Sequence, residues 1–326
     1  MKNLAPEIQI SPFAEDVLHG LSQTPKRIPP QYFYDDEGSR IFRQIMQLPE
    51  YYPTRCEYEI LEQNKDVIMR LMAGSGQPFD LIELGAGDGL KTKVLLRHFL
   101  ARSAAFSYIP VDISARALHE LADGIKREMP GLNLQPLESE YFAALENLRQ
   151  DWPARKAILF LGSNIGNFTG AEALDFLALL RGKMNPGDCL LLGFDLKKHP
   201  AVILNAYNDA SGVTKAFNIN LLRRINRELD ADFDLAQFDH YPIYNPETGE
   251  ARSYLVSKTG QQVCIGSLRE TFDFVEGEII HTEISRKYTV AEMESLAAQA
   301  GFRVAGVFTD SRNYFADMLL QTGGAD

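Results

Sequence analysis

Between Phe79 and Phe194 short apolar runs alternate with stretches of helical periodicity, and this rhythm constrains the fold of the 326-residue chain more than any other feature. The runs Leu81–Leu84, Tyr108–Asp112, Leu132–Leu137, Ala157–Leu161 and Cys189–Phe194 are continuously apolar rather than alternating. Strands of that kind belong to a parallel sheet covered on both faces. Helical patterns fill the gaps, around Lys91–Ala101, Ala115–Met129, Tyr141–Leu148 and Ala171–Met184. Parallel neighbours need such crossovers. The expected class is therefore α/β, a doubly wound, Rossmann-like sheet. Thr54 with Glu57, Thr169 with Glu172 and Thr289 with Glu292 have the spacing of capping boxes, and each pair marks a helix start.

After Asp195 the rhythm breaks. A helical stretch with charged faces runs to Leu229. "FDHYPIYNPETGEARSYLVSKTGQQVCIGS" then alternates polar with apolar residues around turn signals at Pro246–Gly249 and Thr259–Gly260, the pattern of an antiparallel meander. "GEIIHTEISRKY" reads as a further strand. A helix ending at Gly301 and two strands, "FRVAGVFTD" and "NYFADMLLQ", close the chain. The organisation expected is a doubly wound domain of residues 56–197 plus 287–326, and a second, α+β domain of residues 1–55 plus 198–286.

A net charge of -11 and a pI near 5.1 repel phosphate backbones, which excludes nucleic acid as a partner. No run approaches the ~20 apolar residues of a membrane span. The opening "MKNLAPEIQISPFAEDV" carries acids and prolines where a secretory signal would be basic and apolar. Cys56, Cys189 and Cys264 are scattered and odd in number, and the six histidines form no HExxH. A monomer in a reducing cytoplasm, without metal, is expected.

"FDLIELGAGDGLKT" ends the first strand and carries the chemistry. Gly85 and Gly87 let the backbone turn and approach a ligand without Cβ interference. In such a sheet ligands lie beyond the carboxyl ends of the strands. A dinucleotide loop would read G-x-G-x-x-G, with a pyrophosphate on the helix N-terminus. Here Glu83 precedes the loop and Asp88 lies in it, which disfavours a pyrophosphate and favours the sulfonium and ammonium of S-adenosylmethionine. Asp112, ending the next strand, is placed to take ribose hydroxyls. An NAD-dependent dehydrogenase is the competing reading.

The blocks "IPPQYFYDDEGS", "LPEYYPTRCE", "FLGSNIGNF", "AYNDASGVTKAFNINLL", "NRELDADFDL" and "TEISRKY" span nearly the whole chain. In that order they resemble the histidine Nα-methyltransferases of ergothioneine biosynthesis, which make trimethylhistidine, hercynine. The resemblance implies a methyltransferase sheet with a substrate-binding second domain and S-adenosylmethionine as cofactor. It implies cofactor contacts from Gly85, Lys91, Asp112 and the pair Glu140–Tyr141, where many members have Asp-Phe. It implies that Tyr51, Asn167, Tyr207, Glu283 and Ser285 bind a free amino acid, L-histidine. Each residue suits that role. The Asn167 amide can both donate and accept, toward carboxylate and amine. Tyr207 can donate to the carboxylate. Glu283 and Ser285, two apart on a strand, can bond the two nitrogens of an imidazole. The face of Tyr51 attracts the methylated cation. Asn167 and Tyr34 are the candidate catalytic residues. Tyr34 would hold or relieve the amine of its proton through water, or would simply pack in an aromatic cluster. Ser253 departs from the family, where Met is found at the aligned position, and this leaves tryptophan or tyrosine as competing acceptors. A non-catalytic binding module is a further alternative, which the intact Gly85, Asp112, Asn167 and Glu283 oppose.

Overall fold

A computed structural model describes residues 11–74, 76–147 and 154–323, without the side chains of Phe142 and Asn147. Residues 1–10, and Leu148 at the end of an expected helix, lie outside the described residues. In chain order the elements are α1 (Pro12–Leu21), β1 (Lys26–Arg27), α2 (Asp36–Ile45), α3 (Pro53–Ala73), β2 (Phe79–Leu84), α4 (Thr92–Ala101), β3 (Phe106–Asp112), α5 (Ala115–Glu128), β4 (Asn133–Leu134), β5 (Leu137–Glu138), α6 (Tyr141–Asn147), β6 (Arg155–Phe160), α7 (Gly170–Gly182) and β7 (Cys189–Asp195). They continue with α8 (Pro200–Tyr207), α9 (Val213–Leu229), β8 (Phe238–Asn245), β9 (Glu250–Ser257), β10 (Gln261–Ile265), β11 (Glu270–Phe274), β12 (Ile279–Arg286), α10 (Val290–Gln299), β13 (Phe302–Thr309) and β14 (Phe315–Thr322). No described helix is long and apolar enough to cross a membrane.

The chain divides into two compact units. The larger holds residues 43–206, 244–251 and 284–326, the smaller residues 1–42, 207–243 and 252–283. The breaks between them fall first at 42/43 and next at 206/207. α3 lies against α4, β13 and β14.

In the larger unit the sheet runs β13-β14-β7-β6-β2-β3-β4, with β5 also on β3. β2, β3, β6 and β7 are parallel, and β14 is antiparallel to both β7 and β13. The expected strand Leu132–Leu137 is two short strands: Gln135 still donates its N–H to Tyr108 O of β3 at 2.9 Å, and Pro136, which has no N–H, interrupts the ladder. Alternate residues feed two apolar layers. Ile82, Leu84, Ile158 and Phe160 pack with Phe176 of α7 and Met293 of α10. Leu81, Ala157 and Leu159 pack with Leu61 of α3, Leu95 of α4 and Leu121 of α5. Burial of each such large side chain contributes about 1.5–3 kcal/mol.

The expected capping boxes at Thr169/Glu172 and Thr289/Glu292 are present with both reciprocal bonds. The third is not. α3 starts at Pro53, whose missing N–H suits a first helical position, so Thr54 lies inside the helix and Glu57 is buried and used elsewhere. Gly301, with φ +85°, follows α10 as expected. β1, β12, β9 and β8 form a second sheet in that order, β1 parallel to β12. β10 pairs with β11 in a separate hairpin, so the expected meander is broken at Thr259–Gly260 into two sheets. The long helical stretch is two helices. Asp209 separates them by accepting the N–H groups of Val213 and Thr214 at 2.9 and 2.8 Å at the start of α9.

Candidate active site

The strand order reverses at β2: β3 lies on one side of it and β6 on the other. Register aligns Leu84 with Val111, and Glu83 with Leu159. The loops after β2, β3 and β6 therefore leave the sheet at one edge, the ligand edge of a doubly wound sheet. Gly85, Gly87 and Gly89 all take left-handed φ, +78°, +54° and +64°. Gly85 and Ala86 donate their N–H groups to Val111 O at 2.8 and 3.0 Å, and Gly87 donates to Asp112 Oδ2 at 2.8 Å. The other Asp112 oxygen accepts the Ser114 N–H at 2.9 Å. A carboxylate offers about four acceptor positions, so Asp112 closes the loop and keeps capacity for hydroxyls.

The loop fits an adenosyl ligand on this structure's own terms. A Cβ on Gly85 would lie 2.6 Å from Tyr141 Oη and 3.0 Å from Asn164 Nδ2, whereas one on Gly87 would meet nothing within 4 Å. Bare backbone there faces open space. Leu90 and Ile113, following the loop and Asp112, are unusually exposed for apolar residues. Tyr141 stands beside Gly85, its ring edge-on to Phe160 at 5.3 Å. Burial, and then the charge of Asp112, push its phenol above the ordinary value. Glu140 is exposed at the start of α6.

Glu83 corrects the electrostatic argument drawn from the sequence. Its parity with Leu81 turns it away from the loop, into the layer of α3, α4 and α5. There it accepts the hydroxyls of Thr92 and Tyr108. Burial outweighs these bonds and pushes its carboxyl up to about 7. Glu83 ties β2 to α4 and β3 and does not face a ligand. An acid with a raised pKa supports the fold fully below its ordinary value, about 4.5, and loses that support as pH rises through about 7. Glu83→Gln is therefore expected to remove a fall in unfolding free energy of about 1.4 kcal/mol per pH unit across that window. Urea titrations of both proteins at a series of pH values check it, and equal slopes refute it.

Lys91 sits at the N-cap of α4, and its ammonium pairs with buried Glu57 of α3. Burial opposes the charge, but Glu57 and then Glu83 hold the ammonium above its ordinary value. Glu57 also accepts the Gly162 N–H at 2.8 and 3.0 Å, so one carboxylate joins α3, the glycine loop's helix and the loop after β6. A Cβ on Gly193 would lie 2.1 Å from Glu57 Oε1 and 3.1 Å from Asp317 Oδ1. Only glycine lets the two acids approach there. Burial and the Glu57 charge push the Asp317 carboxyl well above the ordinary range. Glu57, Asp317 and Asn164 escaped the sequence reading. An acid amid the apolar residues of "FADMLLQ" was a usable signal, whereas Glu57 resembled an ordinary cap.

Asn167 ends a 3-10 turn, Asn164–Asn167, that follows left-handed Gly162 and Ser163. Gly166 packs on the backbone of Arg286, where a Cβ would lie 2.7 Å from its carbonyl oxygen. This sets the Asn167 turn beside Ser285 at the end of β12. Ser285 is buried and accepts from Lys287 Nζ at 2.8 Å. Tyr51 precedes α3, half-buried, next to buried Tyr52. The structure thus brings Gly85, Gly87, Lys91, Asp112, Tyr141, Asn167 and Ser285 to loops at the sheet edge or the segments packed on them.

Tyr34, Tyr207 and Glu283 belong to the smaller unit. The Tyr34 ring meets Phe42 at 5.6 Å and Phe217 at 5.8 Å, edge-on to both, which is the aromatic cluster expected as its alternative role. Tyr207 ends α8 and is half-buried. Glu283, on β12, accepts from the hydroxyl of fully buried Ser253 at 3.3 Å.

Comparison with known proteins places this geometry. A histidine N-alpha-methyltransferase of Mycobacterium tuberculosis (strain CDC 1551 / Oshkosh) is 39% identical over 300 residues, 92% of each chain. One from Mycolicibacterium smegmatis is 38% identical, over 96% of this chain and 95% of its own. The ergothioneine biosynthesis protein 1 of Schizosaccharomyces pombe is 27% identical over 88% of this chain, which spans 38% of that longer protein. The profile of histidine-specific, S-adenosylmethionine-dependent methyltransferases matches residues 13–322. From its first helix to its last strand, then, the chain belongs to that family.

Proposed function

We propose that this protein transfers three methyl groups in succession to the α-amine of free L-histidine, yielding hercynine for ergothioneine biosynthesis. The match of residues 13–322 to the histidine-specific methyltransferases carries the proposal. Bound S-adenosylmethionine supplies a methyl group on an electrophilic sulfonium. Gly85, Gly87, Lys91, Asp112, Glu140 and Tyr141 would hold it. Asp112 would bond the ribose hydroxyls and Tyr141 would lie at the adenine. From the larger unit Tyr51, Asn167 and Ser285 would bind the amino acid, and from the smaller unit Tyr207 and Glu283. Asn167 accepts from the amine and donates to the carboxylate, aiming the nitrogen lone pair. Alignment of this kind supplies about 7–11 kcal/mol of a displacement barrier. The α-ammonium gives up one N–H proton before each N–C bond forms. Three protons leave in all, and the product nitrogen is quaternary. Tyr34 would pass those protons to water. Residues 56–197 plus 287–326 would serve the cofactor, and residues 1–55 plus 198–286 the substrate. The enzyme would work as a monomer in the cytoplasm, where the free thiols of Cys56, Cys189 and Cys264 are at home.

Turnover of histidine, tryptophan and tyrosine under identical conditions tests the acceptor. Histidine is expected to exceed the other two by about a hundredfold or more in kcat/KM, because a site built for a polar ring rejects rings that leave its groups unbonded. Preference for tryptophan or tyrosine overturns the assignment.

A further inference from the structure

Behind Ser285 lies a buried network that the proposed reaction does not yet use. Asp195 ends β7 and is fully buried. Its Oδ2 accepts from Tyr52 Oη at 2.7 Å and lies 3.0 Å from Lys287 Nζ. Its Oδ1 accepts from Lys198 Nζ, which also donates to Tyr52 Oη at 2.8 Å. Two ammonium groups therefore share one carboxylate. The parallel bridge Leu196↔Tyr288 and the bond from Lys287 N to Gly249 O at 2.7 Å fix the Lys287 backbone. Its side chain, 1% exposed, reaches Ser285 Oγ at 2.8 Å.

A hydroxyl that accepts from an ammonium keeps its own proton for a further acceptor. A buried ammonium beside it also repels a second cation. We propose that Lys287 is a specificity-determining positioning residue: it commits the Ser285 hydroxyl to donate, so that the site takes the neutral imidazole through an unprotonated ring nitrogen and rejects the imidazolium. This rests on the reading that Ser285 bonds the substrate ring. Lys287 neither touches the amine nor moves a proton. Tyr52, adjacent to Tyr51, belongs to the same network, which links two of the proposed substrate contacts.

Among the other charged groups, Glu283 of β12, the second proposed ring contact, is common to wild type and to every Lys287 and Ser285 variant. Glu292 of α10 pairs with Lys197 at 2.6 Å. Burial raises the phenols of Tyr244 and Tyr288, the latter to about 12. Burial lowers Lys198, partly offset by Asp195. Lys287 itself also lowers Lys198, so Lys287→Arg, which keeps that charge, is the control.

Histidine binding, measured by calorimetry with S-adenosylhomocysteine present to prevent turnover, tests the proposal from about pH 5.5 to 8.5, across the ordinary imidazole pKa of about 6.5. Wild-type affinity is expected to fall about tenfold per pH unit below that pKa. Ser285→Ala and Lys287→Met should each weaken binding at pH 8 about tenfold, the loss of a hydrogen bond near a charge. The double variant should bind no more weakly than the weaker single one. Lys287→Met should flatten the acid fall, since Ser285 is then able to accept from a ring N–H, and Lys287→Arg should restore it. Additive losses, or a wild-type acid fall retained in Lys287→Met, overturn the proposal. Absence of the fall in wild type does the same without any variant. Ser285→Ala binding histidine as wild type does at every pH would instead sink the reading beneath it. Affinity for S-adenosylhomocysteine should be unchanged throughout.

Discussion

Replacing Glu57 by alanine is expected to destabilise the protein by about 3–5 kcal/mol, the usual result of removing one partner from a buried ion pair. Glu57 is fully buried and has two partners that survive its loss, the Lys91 ammonium and the Gly162 N–H. Lys91 is largely buried beside Glu83, so its charge would lose the nearer of two acids. Glu57→Gln keeps an acceptor for Gly162 and should cost less than the alanine variant. Chemical denaturation of the three proteins gives the comparison. The variants should also lose cofactor affinity, because Lys91 and the turn bearing Asn167 are both anchored on this carboxylate. A Glu57→Ala protein within about 1 kcal/mol of wild type would mean that the ion pair contributes no more than a surface one.

Asp112→Ala is expected to raise the dissociation constant for S-adenosylmethionine about a hundredfold, two hydrogen bonds to a charged group at about 1.5 kcal/mol each. The residue has two tasks. It closes the glycine loop through Gly87 N–H, and in the proposed function its remaining acceptor positions would take ribose hydroxyls. Asp112→Asn retains one acceptor oxygen and should fall between alanine and wild type. Histidine affinity in the absence of cofactor should change little. An unchanged cofactor affinity in Asp112→Ala would remove the ribose contact from the account.

What was legible in the sequence was local or periodic. The continuous runs of β2, β3, β6 and β7 gave the sheet, since strands covered on both faces cannot alternate. Thr169 and Thr289 each cap the helix that follows, and the box needs only residues three apart. Thr54 and Glu57 have the same spacing, but Pro53 begins the helix two residues earlier and a distant lysine claims the glutamate. Glu83 misled for a related reason. Its position before the glycines suggested a charge at the ligand, whereas strand parity, readable from Leu81, points it into an apolar layer. The break between β9 and β10 was hidden because Thr259–Gly260 is a good turn whichever strand β10 then joins. At the site the glycine loop and Asp112 followed from motif and strand end. The Lys287–Asp195–Tyr52 network did not, because its members come from three separate stretches of chain and none carries a local signature.

The most direct test follows the methyl groups. Histidine incubated with the protein and S-adenosylmethionine carrying a deuterated methyl should gain three labelled methyl groups, all on the α-nitrogen by fragmentation mass spectrometry. Label on a ring nitrogen, or no labelled histidine at all, would contradict the account.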